Sequence, residues 1–228
     1  MFIHLDKKFE DLKAETINGT RYYSVPGGKK FPSITSVISY KNRQFFKEWR
    51  ERIGDVEADK ITKHATSRGT EYHSLVEDYL NNKGEPKFVA HSTPHMMFED
   101  SKHALNCINN IHALEAPLYS TYLGLAGRVD CIAEYNGELA IVDFKTSGKT
   151  KREEWIEHYF VQEVAYAYMY YEMTGIEVDK LVTIIACENG DCQVFEKYDK
   201  MKYVEILGEY IDEFIKFHTG EKFNNGSK

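Results

Sequence analysis

Asn136-Gly137 sits between two runs of alternating residues, GRVDCIAEY and ELAIVDFKT, and no other stretch limits the fold so sharply. An Asn-Gly pair accepts the positive φ that a two-residue type I′ hairpin turn requires at both positions. A turn of that length sets the register: Tyr135 faces Glu138, Ile132 faces Ile141, and Asp130 faces Asp143. The two aspartates are therefore expected on one face, Cβ atoms about 4.5–5.5 Å apart, with Lys145 across from Arg128. The other face, Val129, Cys131, Ala133, Ala140, Val142 and Phe144, is apolar and reads as core. Two carboxylates that close repel, and a proton or a cation between them relieves the repulsion. Oxygen donors with an open side suit Mg2+ or Mn2+, and the neighbouring Lys145 adds positive charge where a reaction builds negative charge. A solvated cluster of surface salt bridges is the plainer alternative, and an apolar reverse face fits it less well.

Around the hairpin the chain alternates periods. ETINGTRYYSV reads as a second Asn-Gly hairpin and PGGKKFP as a loop. Helices are expected over 33–52, 56–80 and 93–114, then strands over 116–122, 127–135 and 138–146. A long helix over 153–173, stopped at Thr174-Gly175, precedes strands over 180–187 and 193–196 and a last helix over 201–218. The order predicts one mixed α/β domain over 1–228. It divides into an N-terminal hairpin and helical part (1–92), a catalytic core (93–218) and a frayed tail (219–228).

Composition narrows the class of function. No apolar run reaches the ~20 residues of a membrane helix, and the first residues, MFIHLDKKFEDLKAE, lack the pattern of a signal or transit peptide. An intracellular, cytoplasmic protein is expected, in the host cytoplasm if phage-encoded. Cys107, Cys131, Cys187 and Cys192 form no CxxC pair, which argues for reduced thiols and against a zinc ribbon or an iron–sulfur cluster. Net charge is −7, yet eleven bases face five acids between Thr20 and Arg68, while sixteen acids face seven lysines from Glu153 onward. A basic front with an acidic back suits a polyanion bound on one side, and equally an ordinary solvated surface.

VD, twelve residues, then DFK resembles the split motif of the PD-(D/E)XK nuclease superfamily. GLAGRVDCIAEYNGELAIVDFKTS as a whole is similar to its RecB-like branch, the mitochondrial genome maintenance exonucleases with their phage and bacterial relatives. Upstream the likeness extends through FPSITSVISY, FFKEWRERIG and RGTEYH, and downstream through QEVAYAY, from about Phe31 to Ile215. Val129 stands where the family's usual proline precedes the first aspartate. The resemblance implies a restriction-endonuclease-like core: a central mixed β-sheet flanked by helices, here with a helical N-terminal elaboration.

The same resemblance places Asp130, Asp143 and Lys145 at the motif positions and His73 beside the metal. It identifies Gln162 and Tyr166 with a QxxxY pair that positions the lysine and the scissile strand. Glu115 matches an acidic residue that reaches the metal, though it reads equally as an exposed charge at a strand start. The Phe144 carbonyl completes the expected ligand set. The residues themselves add that His73 and Gly69 share a helix face, as do Gln162 and Tyr166. Gly69 costs about 1 kcal/mol in a helix, which a close approach of backbone or nucleic acid would explain. Arg68, Arg128, Thr146, Ser147, Lys149, Lys151, Arg152, Ser33 and Ser36 are the expected DNA contacts; a solvated helix charge at Arg68 and a solvated basic loop over 146–152 are the plainer readings. Lys41, Arg43, Phe45, Phe46, Trp49 and Arg50 mix bases with rings, a pattern that fits core packing as well as single-strand binding.

The function expected is therefore that of an Mg2+- or Mn2+-dependent deoxyribonuclease, an exonuclease on single-stranded DNA or flaps that leaves 5′-phosphate ends. Replication or recombination proteins are expected as partners. A structure-specific endonuclease or junction resolvase, or a non-catalytic nucleic-acid-binding accessory protein, is the alternative.

Overall fold

Asn18 and Asn136 hold φ of 49° and 54°, and the glycines that follow them 81° and 83°, so both Asn-Gly bends form. The computed structural model describes residues 1–5, 8–84, 86–87 and 89–219; the tail expected to fray lies, from residue 220 on, outside the described residues. The first bend joins β1 (Ala14–Ile17) to β2 (Thr20–Ser24), and β3 (Lys30–Pro32) adds a third antiparallel strand within the segment expected as loop. Ser33 then caps α1 (Ile34–Lys41), its Oγ accepting from Ser36 N at 3.0 Å, a contribution of about 1 kcal/mol.

One helix was expected over 33–52, and two are found. Asn42 closes α1 with its N–H on Ile38 O, and α2 (Arg43–Ile53) starts directly after it. Asparagine competes with the helix through its own amide, which makes the junction a cheap place to break. Gly54, at φ 85°, turns the chain into α3 (Asp55–Leu80). After it comes α4 (Thr93–Leu105), which stops nine residues short of the expected end. The lost segment is instead the start of β4 (Ile108–Ser120). Asn106, Asn109 and Asn110 weaken the helix there, and pairing with β5 (Leu125–Tyr135) claims the backbone.

The second Asn-Gly bend joins β5 to β6 (Glu138–Ser147). A single 3-10 turn (Glu153–Trp155) leads into α5 (Glu157–Thr174), closed by Gly175 in the left-handed region. β7 (Lys180–Cys187), β8 (Cys192–Lys197) and α6 (Lys200–Thr219) complete the order. The large sheet runs β4-β5-β6-β7-β8; β6 and β7 are parallel and every other neighbour is antiparallel. A parallel pair needs a crossover, and α5 supplies it. This is the mixed α/β architecture expected.

Helices cover both faces of the sheet, so the face expected to turn polar is itself core. Ile132 and Ile141 pack with α1, α5 and α6; Cys131, Ala133, Ala140, Val142 and Phe144 pack with α3 and α4. Strict alternation fails at one level. Val129 was expected beside Cys131, yet it packs with Ile132 on the opposite face. In β4 the same slip separates Leu114 from Ala116 and Leu118. The residues between are Asp130 and Glu115, flanked by the pairs Leu114↔Cys131 and Ala116↔Val129. Glu115 has φ 48°, a left-handed conformation that costs a non-glycine residue about 1 kcal/mol or more and gathers at functional sites.

Candidate active site

Three elements far apart in sequence converge at that slip. α3 presents His73, β4 presents Glu115 and β5 presents Asp130. His73 Nδ1 lies 3.8 Å from Glu115 Oε1 and 3.9 Å from Asp130 Oδ1, and one donor atom from each of the three falls within 4.8 Å of the others. All three are partly exposed, so the cluster opens to solvent. Two ligands about 2.1 Å from one ion stand roughly 3–4 Å apart. One imidazole and two carboxylates at this spacing fit a divalent cation. Burial disfavours the charged His73 ring, but Asp130 and Glu115 outweigh it and hold the imidazole above its usual value.

The strained Glu115 backbone is held from behind. The Arg128 guanidinium donates to the Glu115 carbonyl and forms an ion pair with Asp11 at 2.6 Å. The Arg128 carbonyl accepts from the Tyr166 hydroxyl at 2.8 Å. Arg128 and Tyr166, expected at DNA and at the lysine, therefore brace this level of the sheet. Tyr166 reaches it because residue 127 is glycine: a Cβ there would stand 2.8 Å from the Tyr166 ring.

Asp143 does not sit directly opposite Asp130, contrary to the register argument. The β5–β6 ladder runs from Tyr135↔Glu138 to Cys131↔Val142 and ends there. One step further, Asp130 Oδ2 takes the Phe144 N–H at 2.8 Å, a side chain in place of a ladder carbonyl. Asp143 turns to other partners: Gln162 Nε2 donates to its Oδ1 at 2.9 Å, and Lys145 forms an ion pair with its Oδ2. Asp143 is 1% exposed. Burial pushes its carboxyl up to about 6 against the pull of Lys145, with Asp130 acting in the same direction as burial. Burial opposes the Lys145 charge, but Asp143 and then Asp130 more than restore it, so the ammonium is held above the ordinary lysine value.

Four neighbours of this centre were not singled out from sequence. Glu163, wholly buried, takes the Thr183 hydroxyl on one oxygen, and burial drives its carboxyl well above the usual range. Its place beside Gln162 in an otherwise apolar helix segment was the available signal. Tyr159 lies with its ring centroid 5.0 Å from Lys145 Nζ. His158 is pushed down to about 4 by burial and then by Lys145. Glu188, just past β7, forms an ion pair with Arg68.

The remaining expected contacts are dispersed. Arg68 is engaged by Glu188 and only 10% exposed in its side chain. Thr146 Oγ1 would stand 3.6 Å from a Cβ at Gly69, an ordinary contact, so nothing within the protein demands that glycine. Ser147 Oγ donates to Lys149 O at 2.6 Å and closes its own loop. Lys151 is tied through its backbone to Gln193, and Arg152 pairs with Glu154 at 3.5 Å and lies over Trp155. Lys149 is exposed. Ser33 and Ser36 hydroxyls bond one another at 2.8 Å, and Ser36 also takes Arg21 N, so both serve the α1 cap. Phe45 and Phe46, equally readable as core, are exposed on α2.

Comparison with known proteins agrees with the resemblance read from the split motif. The family model described as the PD-(D/E)XK nuclease superfamily matches residues 89–198, which include Glu115, Asp130, Asp143, Lys145, Gln162 and Tyr166 but not His73. The mitochondrial genome maintenance exonuclease 1 of Mus musculus is 29% identical over 128 residues, covering 53% of this chain and 38% of that protein. The Homo sapiens protein of the same name is 29% identical over 129 residues with the same coverage. The chain thus spans well under half the length of these relatives. A crystal structure from Eubacterium rectale, named as an exonuclease, aligns with a TM-score of 0.45 and 14% identity over 68% of this chain and 69% of that one. No helix among the described residues is long and apolar enough to cross a membrane.

Proposed function

We propose that this chain is a metal-dependent DNA exonuclease that hydrolyses phosphodiester bonds in single-stranded DNA or flaps and leaves 5′-phosphate ends. One observation carries the reading: His73, Glu115 and Asp130 converge, at strained and slipped backbone, beside a buried Asp143–Lys145–Gln162 cluster. Folds keep such strain and such charge crowding where chemistry needs them.

His73, Glu115 and Asp130 would hold Mg2+ or Mn2+, with Asp143 and the Phe144 carbonyl adjoining. When bound, the ion supplies positive charge against phosphate oxygens and acidity for a nucleophilic water. The rest falls to the chain. Gln162 fixes one Asp143 oxygen, so the carboxylate cannot rotate away. Lys145, held charged by Asp143, keeps an ammonium where it orients the water or stabilises negative charge on the phosphoryl group in flight. Attack in line expels the 3′ oxygen, which solvent protonates. Arg68 and Lys149 would meet flanking phosphates, Arg68 after leaving Glu188. The whole chain would act as one nuclease domain, working in the cytoplasm on DNA intermediates of replication, repair or recombination.

The test is a labelled single-stranded oligonucleotide, linear in one tube and circularised in another, with Mg2+ or Mn2+ and then with EDTA. Degradation of the linear strand alone, abolished by EDTA, is expected, with product ends that a ligase accepts at the 5′ side. Cutting of the circle would replace this reading with an endonuclease. Binding without cleavage would leave an accessory protein.

A further inference from the structure

The structure assigns Tyr159 as a positioning residue for Lys145, its ring face holding the ammonium against Asp143. The inference rests on the nuclease reading for its kinetic consequence and on geometry alone for the contact.

The Lys145 side chain is 20% exposed, which leaves its flexible tip a path to water. Two groups hold it back. Asp143 forms the ion pair, and the Tyr159 ring lies 5.0 Å from Nζ, within the range in which a ring face attracts a cation. Tyr159 stands three residues before Gln162 and seven before Tyr166, so all three occupy one face of α5. That face treats the catalytic strand in sequence. Tyr159 meets Lys145, Gln162 meets Asp143, and Tyr166 meets the Arg128 carbonyl one strand over. The Tyr159 hydroxyl has no hydrogen-bond partner among the described contacts, so the ring is what the geometry uses. The His158 ring lies beside it, centroids 4.2 Å apart and planes tilted by 53°.

Three variants separate this role from others. Tyr159→Leu should lower kcat on a linear single-stranded oligonucleotide about tenfold, the scale of a partly desolvated cation–π contact, with KM changed less than twofold. Tyr159→Phe should recover most of that loss. Should the leucine variant fold poorly, phenylalanines carrying one and three ring fluorines at position 159 keep the shape and weaken only the ring's negative face. Their kcat should fall stepwise with fluorination. A readout independent of cleavage uses metal-free protein with 13C-labelled lysine, the Lys145 signal identified by its loss in Lys145→Arg. Its ε-methylene should be shifted upfield by the ring in the wild type and in Tyr159→Phe, and should return toward the common lysine position in Tyr159→Leu. An unshifted ε-methylene in the wild type overturns the contact. A flat fluorine series overturns the positioning role, and raised KM at constant kcat would make the ring a stacking surface for bases instead. If the wild type cleaves nothing while the ring shift is present, the nuclease reading fails and the contact stands.

Discussion

Asp130 and Asp143 come from the same hairpin and end in opposite circumstances. Asp143 is sealed between β6 and α5, one oxygen on Gln162 and the other on Lys145. Asp130 faces an open cluster in which His73 Nδ1 stands 3.9 Å from its Oδ1 and 3.8 Å from Glu115 Oε1, too far for hydrogen bonds. The sealed half is satisfied by the chain itself. The open half holds three donors around an opening, on a backbone strained at Glu115. A satisfied buried pair adds rigidity and is costly to break, whereas crowded, underused donors are stabilised by binding something else. The two halves should therefore respond differently to mutation, to ions and to protons.

The largest difference is expected in activity. Asp143→Asn should reduce cleavage about a thousandfold or more, since it removes the partner that keeps Lys145 charged and in place. The purified variant assayed on labelled single strands decides this, and full activity would remove Asp143 from the reaction. Ion binding should divide the halves next. Mn2+ should raise the melting temperature of the wild type by mass action. Asp130→Asn or His73→Ala should need more than tenfold higher Mn2+ for the same rise, and Asp143→Asn much less. Equal effects at both aspartates would show one undivided site.

Glu115→Gly sharpens the comparison from the side of strain. Glycine accepts φ 48° freely, so relief of about 1 kcal/mol offsets the entropy that glycine adds to the unfolded chain. Metal-free melting should stay within a few degrees of wild type while the Mn2+ response weakens. A large loss of stability would mean that the Glu115 side chain holds the fold.

The smallest effect is the pH dependence of metal-free stability. Asp143 holds its proton up to about pH 6 in the folded state, while an unfolded aspartate releases it near pH ~4. The folded state then binds more protons, so stability falls as pH rises from about 4 to 6. His73, raised by Asp130 and Glu115, contributes stability that is present below its unfolded value and is lost as pH rises through its folded one. Chemical denaturation at a series of pH values should show both declines. Asp143→Asn should remove the first and leave the second, and an unchanged lower decline would mean that Asp143 is not its source.

Much of this was legible in the chain. Asn136-Gly137 set the hairpin, the 3.6-residue period set α3, and the likeness of QEVAYAY to a QxxxY pair pointed to Gln162, which donates to Asp143. Two expectations changed in the fold. The helix expected over 106–114 is strand from Ile108 on, because short apolar segments carry both periods and a distant partner decides. The serines of PSITS and the bases at 68 and 128, expected as DNA contacts, also have partners within the chain, Glu188 for Arg68 and the Glu115 carbonyl for Arg128 among them, which no local pattern announces.

What the amino-acid order determined by itself was local: two tight bends, the amphipathic faces, and the nearness of Asp143, Phe144 and Lys145 on one strand. Turn length and side-chain period act over a few residues, and they need no partner. The meeting of His73, Glu115 and Asp130 across three elements was decided by the tertiary structure alone. So was the one-residue slip that aims the two carboxylates at α3, because alternation predicts a side for each residue only while a strand stays regular. Where packing from both faces bends the backbone out of that regularity, the direction of a side chain becomes a property of the whole fold.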